Sequence, residues 1–271
     1  MAVDAFKDKQ FSPVYHKFIL PSSSEVMNII VTYLKKKKGL PLDLAVDVGC
    51  GTGRYTVLLA IYFRKVLGCD ISDSQIHFAQ KYSAKDNVTY MVAAAEKMPL
   101  QDASVDLVTA GLAVHWFDSN EFYNEAIRVL TKNGCLAFHA FNPYVEIDYK
   151  DVSQDLTDVI TWGLDTFKMC GGKEIKNYLE SQYQRIYEAV PLEDKEWITD
   201  IPVQTSMSME GLLGFLQAVC WFQIMKEKDP EGSKHFLSLL EKRFRDILGE
   251  DADFALLNVK QKCFCVLACK H

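Results

Sequence analysis

Short apolar runs alternate with amphipathic stretches over the first half of the chain, and this alternation predicts strands and helices in turn. Residues 42–48, 65–70, 87–92, 105–110 and 135–141 read as five strands. Between them, 52–63, 73–82 and a stripe through Phe122, Ala126, Val129 and Leu130 read as helices. Ser72 with Gln75 and Asp118 with Glu121 make N-terminal capping pairs. Gly134 is expected to stop the third of these helices as a left-handed cap. Strands and helices alternating at these lengths predict a parallel sheet with helices on both faces.

Beyond Phe141 the pattern turns to longer amphipathic helices rich in aromatics. Leu156, Ile160, Leu164 and Phe167 share one side of a helix over 153–167, and Ile175, Leu179, Tyr183 and Ile186 share one side of a second over 173–187. Two more follow at 208–226 and 231–248, the latter turning Phe236, Leu240, Phe244 and Ile247 inward. Residues 197–205 predict a sixth strand, and the unbroken apolar run 261–268 a seventh, buried within the sheet. At the other end Phe11, Tyr15 and Phe18 precede Pro21, and a capping box at Ser22 and Glu25 opens a helix that runs to Lys38. The organisation expected is an N-terminal arm and lid helix at 1–40, a core at 41–142, a mainly helical cap at 143–258 that contains one core strand near 197–205, and a last core strand at 259–271.

The chemistry concentrates where the first strand ends. Asp47-Val48-Gly49-Cys50-Gly51-Thr52-Gly53 sets three glycines at alternate positions between a strand and a helix, so the backbone can turn sharply beside a ligand. The spacing is not the G-x-G-x-x-G of dinucleotide sites. An acid at the strand tip would repel a phosphate but attract an ammonium group. Asp70 ends the second strand 17 residues beyond Gly53, close to the ~20 residues at which doubly wound folds place an acid that accepts the ribose hydroxyls. The small residues Ala93-Ala94-Ala95 leave room for a flat ring.

With its flanking strand, helix and acid, this segment resembles the first motif of the class I S-adenosylmethionine-dependent methyltransferases. The phrases His115-Trp116-Phe117-Asp118, Arg128-Val129-Leu130 before Gly134, and Ser206 to Gly214 bring the resemblance to the small-molecule branch related to trans-aconitate methyltransferase. The resemblance implies a doubly wound, Rossmann-like α/β sheet of seven strands, the last antiparallel, with a helical cap inserted after strands five and six that roofs the cofactor. It implies a cofactor set of Tyr15, Asp47, Gly49, Gly51, Gly53, Asp70, Ile71, Ala95, Glu96, Gly111 and Leu112, with Ala95 and Glu96 at the base. The cofactor is S-adenosyl-L-methionine and the partner a small-molecule acceptor, with a carboxylate oxygen as one candidate atom. His115, just past the fourth strand, is the candidate catalytic residue; base, hydrogen-bond partner and structural imidazole all remain open for it. His16 and His139 are less well placed. A binding module without turnover, serving as a sensor or partner subunit, and a nicotinamide oxidoreductase are the competing readings.

Composition narrows this further. With 49% hydrophobic residues, 24% charged residues and a net charge of −6, the chain is that of an ordinary globular protein, and a broad nucleic-acid surface is not expected. Lys35 to Lys38 read as a solvated helix end. The eight cysteines read as reduced thiols. Cys263 and Cys265 lack a C-x-x-C pair or a His-rich partner segment, so no metal site is expected. No N-terminal apolar run resembles a signal peptide and no stretch of about 20 apolar residues could cross a bilayer, which leads to an expectation of a cytoplasmic protein without a membrane partner. A monomer or weak homodimer completes the reading.

Overall fold

The computed structural model describes Phe6 and residues 8–20, 23–170 and 173–271. In chain order the helices and strands begin with α1 (Phe11–Phe18), α2 (Ser24–Lys38), β1 (Leu44–Val48), α3 (Thr56–Leu59), β2 (Lys65–Asp70), α4 (Asp73–Tyr82) and β3 (Val88–Val92). They continue with β4 (Val105–Gly111), α5 (Ser119–Val129), β5 (Leu130–Phe141), β6 (Glu146–Asp148), α6 (Ser153–Met169), α7 (Lys173–Glu180) and α8 (Gln184–Ala189). The last are β7 (Lys195–Met207), α9 (Met209–Ala218), α10 (Cys220–Lys228), α11 (Pro230–Leu248) and β8 (Leu257–Cys269). Two compact units are built from these, each from separate stretches of chain.

The sheet unit comprises Ser22–Phe141, Tyr178–Ile201 and Cys263–His271. Its strands pair in the order β3-β2-β1-β4-β5-β8, parallel as far as β5 and antiparallel between β5 and β8. Val46 pairs with Leu67 on one side and Val108 on the other, and Ala45, Val46 and Val48 are buried, which is why β1 carries no polar residue except at its tip. Because β1 lies between β2 and β4, strand order reverses there, and ligands of open α/β sheets bind at the carboxyl edge of such a reversal. The expected mostly parallel sheet with an antiparallel closing strand is thus present. Among the described residues eight strands are found rather than seven, the addition being β6, whose Ile147 pairs with Val259 near the start of β8.

Caps agree with the sequence where the side chain acts locally. Ser72 Oγ accepts from the Gln75 N–H at 3.3 Å, and Asp118 Oδ1 accepts from the N–H groups of Asn120 and Glu121 at 3.1 Å. Ser22 lies outside the described residues; Ser23 is the cap of α2, accepting from Val26 at 3.1 Å. Four elements depart from the expectation. The helix expected over 52–63 shrinks to α3, because i→i+3 bonds such as Tyr62 to Leu59 tighten its end and Asn87 Nδ2 takes the carbonyls of Ala60 and Phe63 at 2.8 and 2.9 Å. Gly134 stops no helix. The N–H groups of Ala103 and Ser104 claim the carbonyls of Arg128 and Val129, α5 ends there, and Gly134 sits inside β5. The helix expected over 173–187 is two, broken at Gln182 and Tyr183 with φ of 50° and 66°. That expected over 208–226 is also two, broken where Val219 turns extended.

The helical unit comprises Met1–Pro21, Asn142–Asn177 and Pro202–Lys262. Helix α1 packs on α9 at Gly214, where an added Cβ would fall 2.2 Å from the Phe18 ring. Helix α6 packs against α11 with Gly163 against Leu240, and Arg243 lies 4.1 Å over the Trp162 ring. Fully buried Phe167, Phe215, Trp221 and Phe244 form the core, each contributing about 2–3 kcal/mol by leaving water. Among the described residues no helix is long and apolar enough to cross a membrane.

Candidate active site

The turn after β1 is made by backbone geometry. Gly49, Gly51 and Gly53 take φ of 66°, 53° and 78°, a region that L side chains avoid. At Gly49 space is also short: a Cβ would lie 2.6 Å from Ala113 Cβ, in the loop that follows β4. The turn is tied to β2 by Cys50 N–H donating to Cys69 O at 2.9 Å and Gly51 N–H donating to Asp70 Oδ2 at 2.9 Å.

Two carboxylates stand at the tips of β1 and β2. Asp47 is buried; Thr56 Oγ1 donates to its Oδ2 at 2.6 Å, while its buried Oδ1 has no partner. Desolvation pushes its carboxyl up to about 7, against the Thr56 hydrogen bond and with a further push from the charge of Asp70. Asp70 accepts from Gly51 on one oxygen and from Ser72, at 2.8 Å, on the other. Burial raises its pKa although the N–H groups of Ser72, Gly51 and Ile71 pull the other way.

Beyond β2 and β3 the edge becomes apolar. Ile71 is 64% exposed directly after the end of β2. Ala95 is buried, and Glu96 Oε1 accepts from the Asp118 N–H at 3.0 Å. The loop holding both is fastened by Arg128, a residue the sequence reading noted only as part of a phrase. Its guanidinium donates to Leu100 O and Met98 O at 2.9 and 3.2 Å, pairs with Glu125 at 2.7 Å, and reaches Asp102; Glu125 in turn takes the Met98 N–H at 2.6 Å.

After β4, Leu112 adopts φ 57° and donates its N–H to His139 O at 2.9 Å. Gly111 is small for a reason: a Cβ there would lie 2.7 Å from His139 Cε1. His139 is buried, packs edge-on to Tyr55 at 4.7 Å, and its Nε2 has no partner; desolvation pulls its pKa down to about 4. His115 sits in the 3-10 turn Val114–Trp116, half-buried, with Nδ1 2.8 Å from Tyr183 Oη and rings of Trp116 and Tyr178 at 5.0 and 6.3 Å. Desolvation pulls its pKa down to about 3, which favours the neutral ring.

The sheet unit therefore carries Asp47, Asp70 and Gly111 near the ends of β1, β2 and β4, and Gly49, Gly51, Gly53, Ile71, Ala95, Glu96, Leu112 and His115 in the turns that follow β1 to β4. Tyr15 belongs to the helical unit, where its ring meets Phe6 at 5.5 Å and Phe11 at 5.8 Å. Elsewhere, Asp194, Cys269 and His271 bring three donor atoms within 4.8 Å of one another, but Lys37 Nζ lies 2.6 Å from Asp194 Oδ2 and already balances the charge a cation would need. All eight cysteines are free thiols.

Residues 46–138 match the family of the methyltransferase domain. These residues, about a third of the chain, are similar to a methyltransferase domain. A protein of Dictyostelium discoideum that bears the name methyltransferase is 41% identical over 138 residues, which are 50% of this chain and 50% of that protein. A malonyl-acyl-carrier-protein O-methyltransferase of Methylococcus capsulatus is 34% identical over 107 residues, 38% of this chain and 39% of its own length. The chain thus spans half, or less, of the length of these two relatives. A structure described as a type II methyltransferase, from Anaeromyxobacter dehalogenans, matches 90% of this chain and 97% of its own with a TM-score of 0.69 at 22% identity, a likeness of fold.

Proposed function

We propose that the protein transfers the methyl group of S-adenosylmethionine to a small-molecule acceptor, at a carboxylate oxygen. The observation that carries this reading is Asp47 Oδ1, a buried carboxylate oxygen with no donor at the point where strand order reverses. Burying an ionised oxygen without a partner is costly, and a cationic amine is the group that removes the cost. Asp70, an acceptor at the tip of β2, suits a pair of ribose hydroxyls, and exposed Ile71 with small Ala95 suits a flat base. The cofactor brings its own activated methyl group, so the chain is left with holding, orienting and managing charge. Gly111 and Leu112 border the reaction side next to His115 in this reading.

Oxygen as the acceptor atom has support from the relative named for O-methylation of malonyl-acyl-carrier protein, and from the weak basicity of His115, since a carboxylate needs no base. Isothermal calorimetry with S-adenosylmethionine and S-adenosylhomocysteine tests the binding half: saturable binding of both is expected, and none in either titration rejects the reading. Release of S-adenosylhomocysteine in the presence of a panel of small carboxylic acids tests the transfer half.

A further inference from the structure

Tyr183 is fully buried, yet its backbone stands at φ 66°, directly after Gln182 at φ 50°. Two successive left-handed residues with side chains are unfavourable and persist only where their surroundings hold them. Here the holding is explicit. Trp197 Nε1 donates to Gln182 O at 2.7 Å, Asp200 N–H donates to Gln182 Oε1 at 2.9 Å, and Gln182 Nε2 donates back to Asp200 Oδ1 at 3.3 Å. Tyr183 N–H donates to Tyr178 O at 2.9 Å, and the ring stands edge-on to Phe264 with centroids 5.0 Å apart. This bracing holds the phenol oxygen 2.8 Å from His115 Nδ1.

We propose that Tyr183 is a positioning residue: its O–H donates to Nδ1 of His115, the imidazole proton stays on Nε2, and His115 offers that N–H to an oxygen of a carboxylate acceptor. The assignment rests on the methyltransferase reading above and sharpens it. A phenol is the stronger donor and an imidazole nitrogen the stronger acceptor of the two, so O–H···N is the favoured direction. With Nδ1 capped in this way and Nε2 protonated, the ring has no lone pair to act as a base, and an acceptor that must lose a proton is not served. A carboxylate needs no such service. One of its oxygens forms the new O–C bond as the C–S bond breaks with its electron pair left on sulfur, the sulfonium and carboxylate charges cancel, and no proton moves. The other oxygen takes the His115 N–H. Desolvation by the surrounding rings keeps the imidazole in the neutral state that this arrangement requires.

The test uses the whole chain with 15N-labelled histidine, assigning His115 through His115→Gln. Long-range 15N–1H correlation of the free protein should show the Nε2–H tautomer, and Tyr183→Phe should release it into a mixture. Against saturated and unsaturated aliphatic dicarboxylic acids, Tyr183→Phe should lower kcat about tenfold, the loss expected of one buried hydrogen bond, with the cofactor Kd unchanged. His115→Gln, which retains an N–H donor, should keep more turnover than His115→Leu. An Nδ1–H tautomer in the wild type, a Tyr183→Phe protein with unaltered tautomer and kcat, or turnover of amines and alcohols but of no carboxylate overturns the proposal. Failure of S-adenosylmethionine to bind the wild type would instead reject the methyltransferase reading, and the tautomer is read without either ligand.

Discussion

Thr56 Oγ1 lies 2.6 Å from Asp47 Oδ2 and supplies the one donor that this buried carboxylate has, its other oxygen facing none. A carboxylate so placed is held above its ordinary value of 3.8, at about 7. Because the folded value exceeds the unfolded one, stability is greatest below pH 4 as far as this group is concerned and falls as pH rises through 7. The full loss is on the order of 4 kcal/mol. Asp47→Asn should remove that slope, so the difference between wild-type and variant urea midpoints, followed from pH 4 to 8 without ligand, should grow in favour of the variant. A difference that does not vary with pH would contradict the partnerless carboxylate.

The same group links cofactor affinity to pH. An ammonium group gains most from the ionised form of Asp47, so the calorimetric affinity for S-adenosylmethionine should rise with pH until about 7 and then level. Asp70→Ala should weaken binding by about 1–3 kcal/mol through loss of charge-assisted hydrogen bonds, with an excess of nicotinamide dinucleotide failing to compete.

Gly49 and Gly39 separate two costs that are normally mixed. Both have positive φ, 66° and 84°, but a Cβ on Gly49 would strike Ala113 Cβ at 2.6 Å whereas one on Gly39 would meet nothing within 4 Å. Gly39→Ala should therefore cost about 1 kcal/mol of stability, the backbone term alone. Gly49→Ala should cost about 2–4 kcal/mol and reduce cofactor binding as well. Equal costs in thermal or urea melts would show that the close approach of the two turns is not rigid.

Arg128 serves as a fork, donating to Leu100 O, Met98 O and Glu125 together. Lysine has one nitrogen where three are used, so Arg128→Lys should cost about 1–2 kcal/mol despite keeping the charge. Its location predicts where the loss appears: amide hydrogen exchange should accelerate from Glu96 to Asp102 and leave β1 and β2 unchanged.

How much of this was readable beforehand depends on the range of the forces involved. The glycine turn, the acids at the tips of β1 and β2, and the caps at Ser72 and Asp118 are local chemistry, and all were placed correctly in the chain. The helix break at Gln182 was hidden because Ile175, Leu179, Tyr183 and Ile186 keep helical spacing across it; what bends the chain is Trp197 and Asp200, on another element. Asn87 shortening α3 and the carbonyl capture that ends α5 have the same character. The pairing of His115 with Tyr183 spans 68 residues and has no signature in either segment. At Asp47 the residue was legible but its missing donor was not, since burial of one oxygen is a property of packing.

Strand β8 ends at Cys269, and its Cys263–Cys269 portion pairs along β5 from Phe141 to Cys135. A shortened protein cut after the family-matched segment would thus leave the edge of β5 bare, a row of N–H and C=O groups ready to recruit strands from other molecules. Aggregation of such a fragment would be a matter of unzipped topology rather than of faulty sequence, and supplying the C-terminal peptide in trans is the natural remedy.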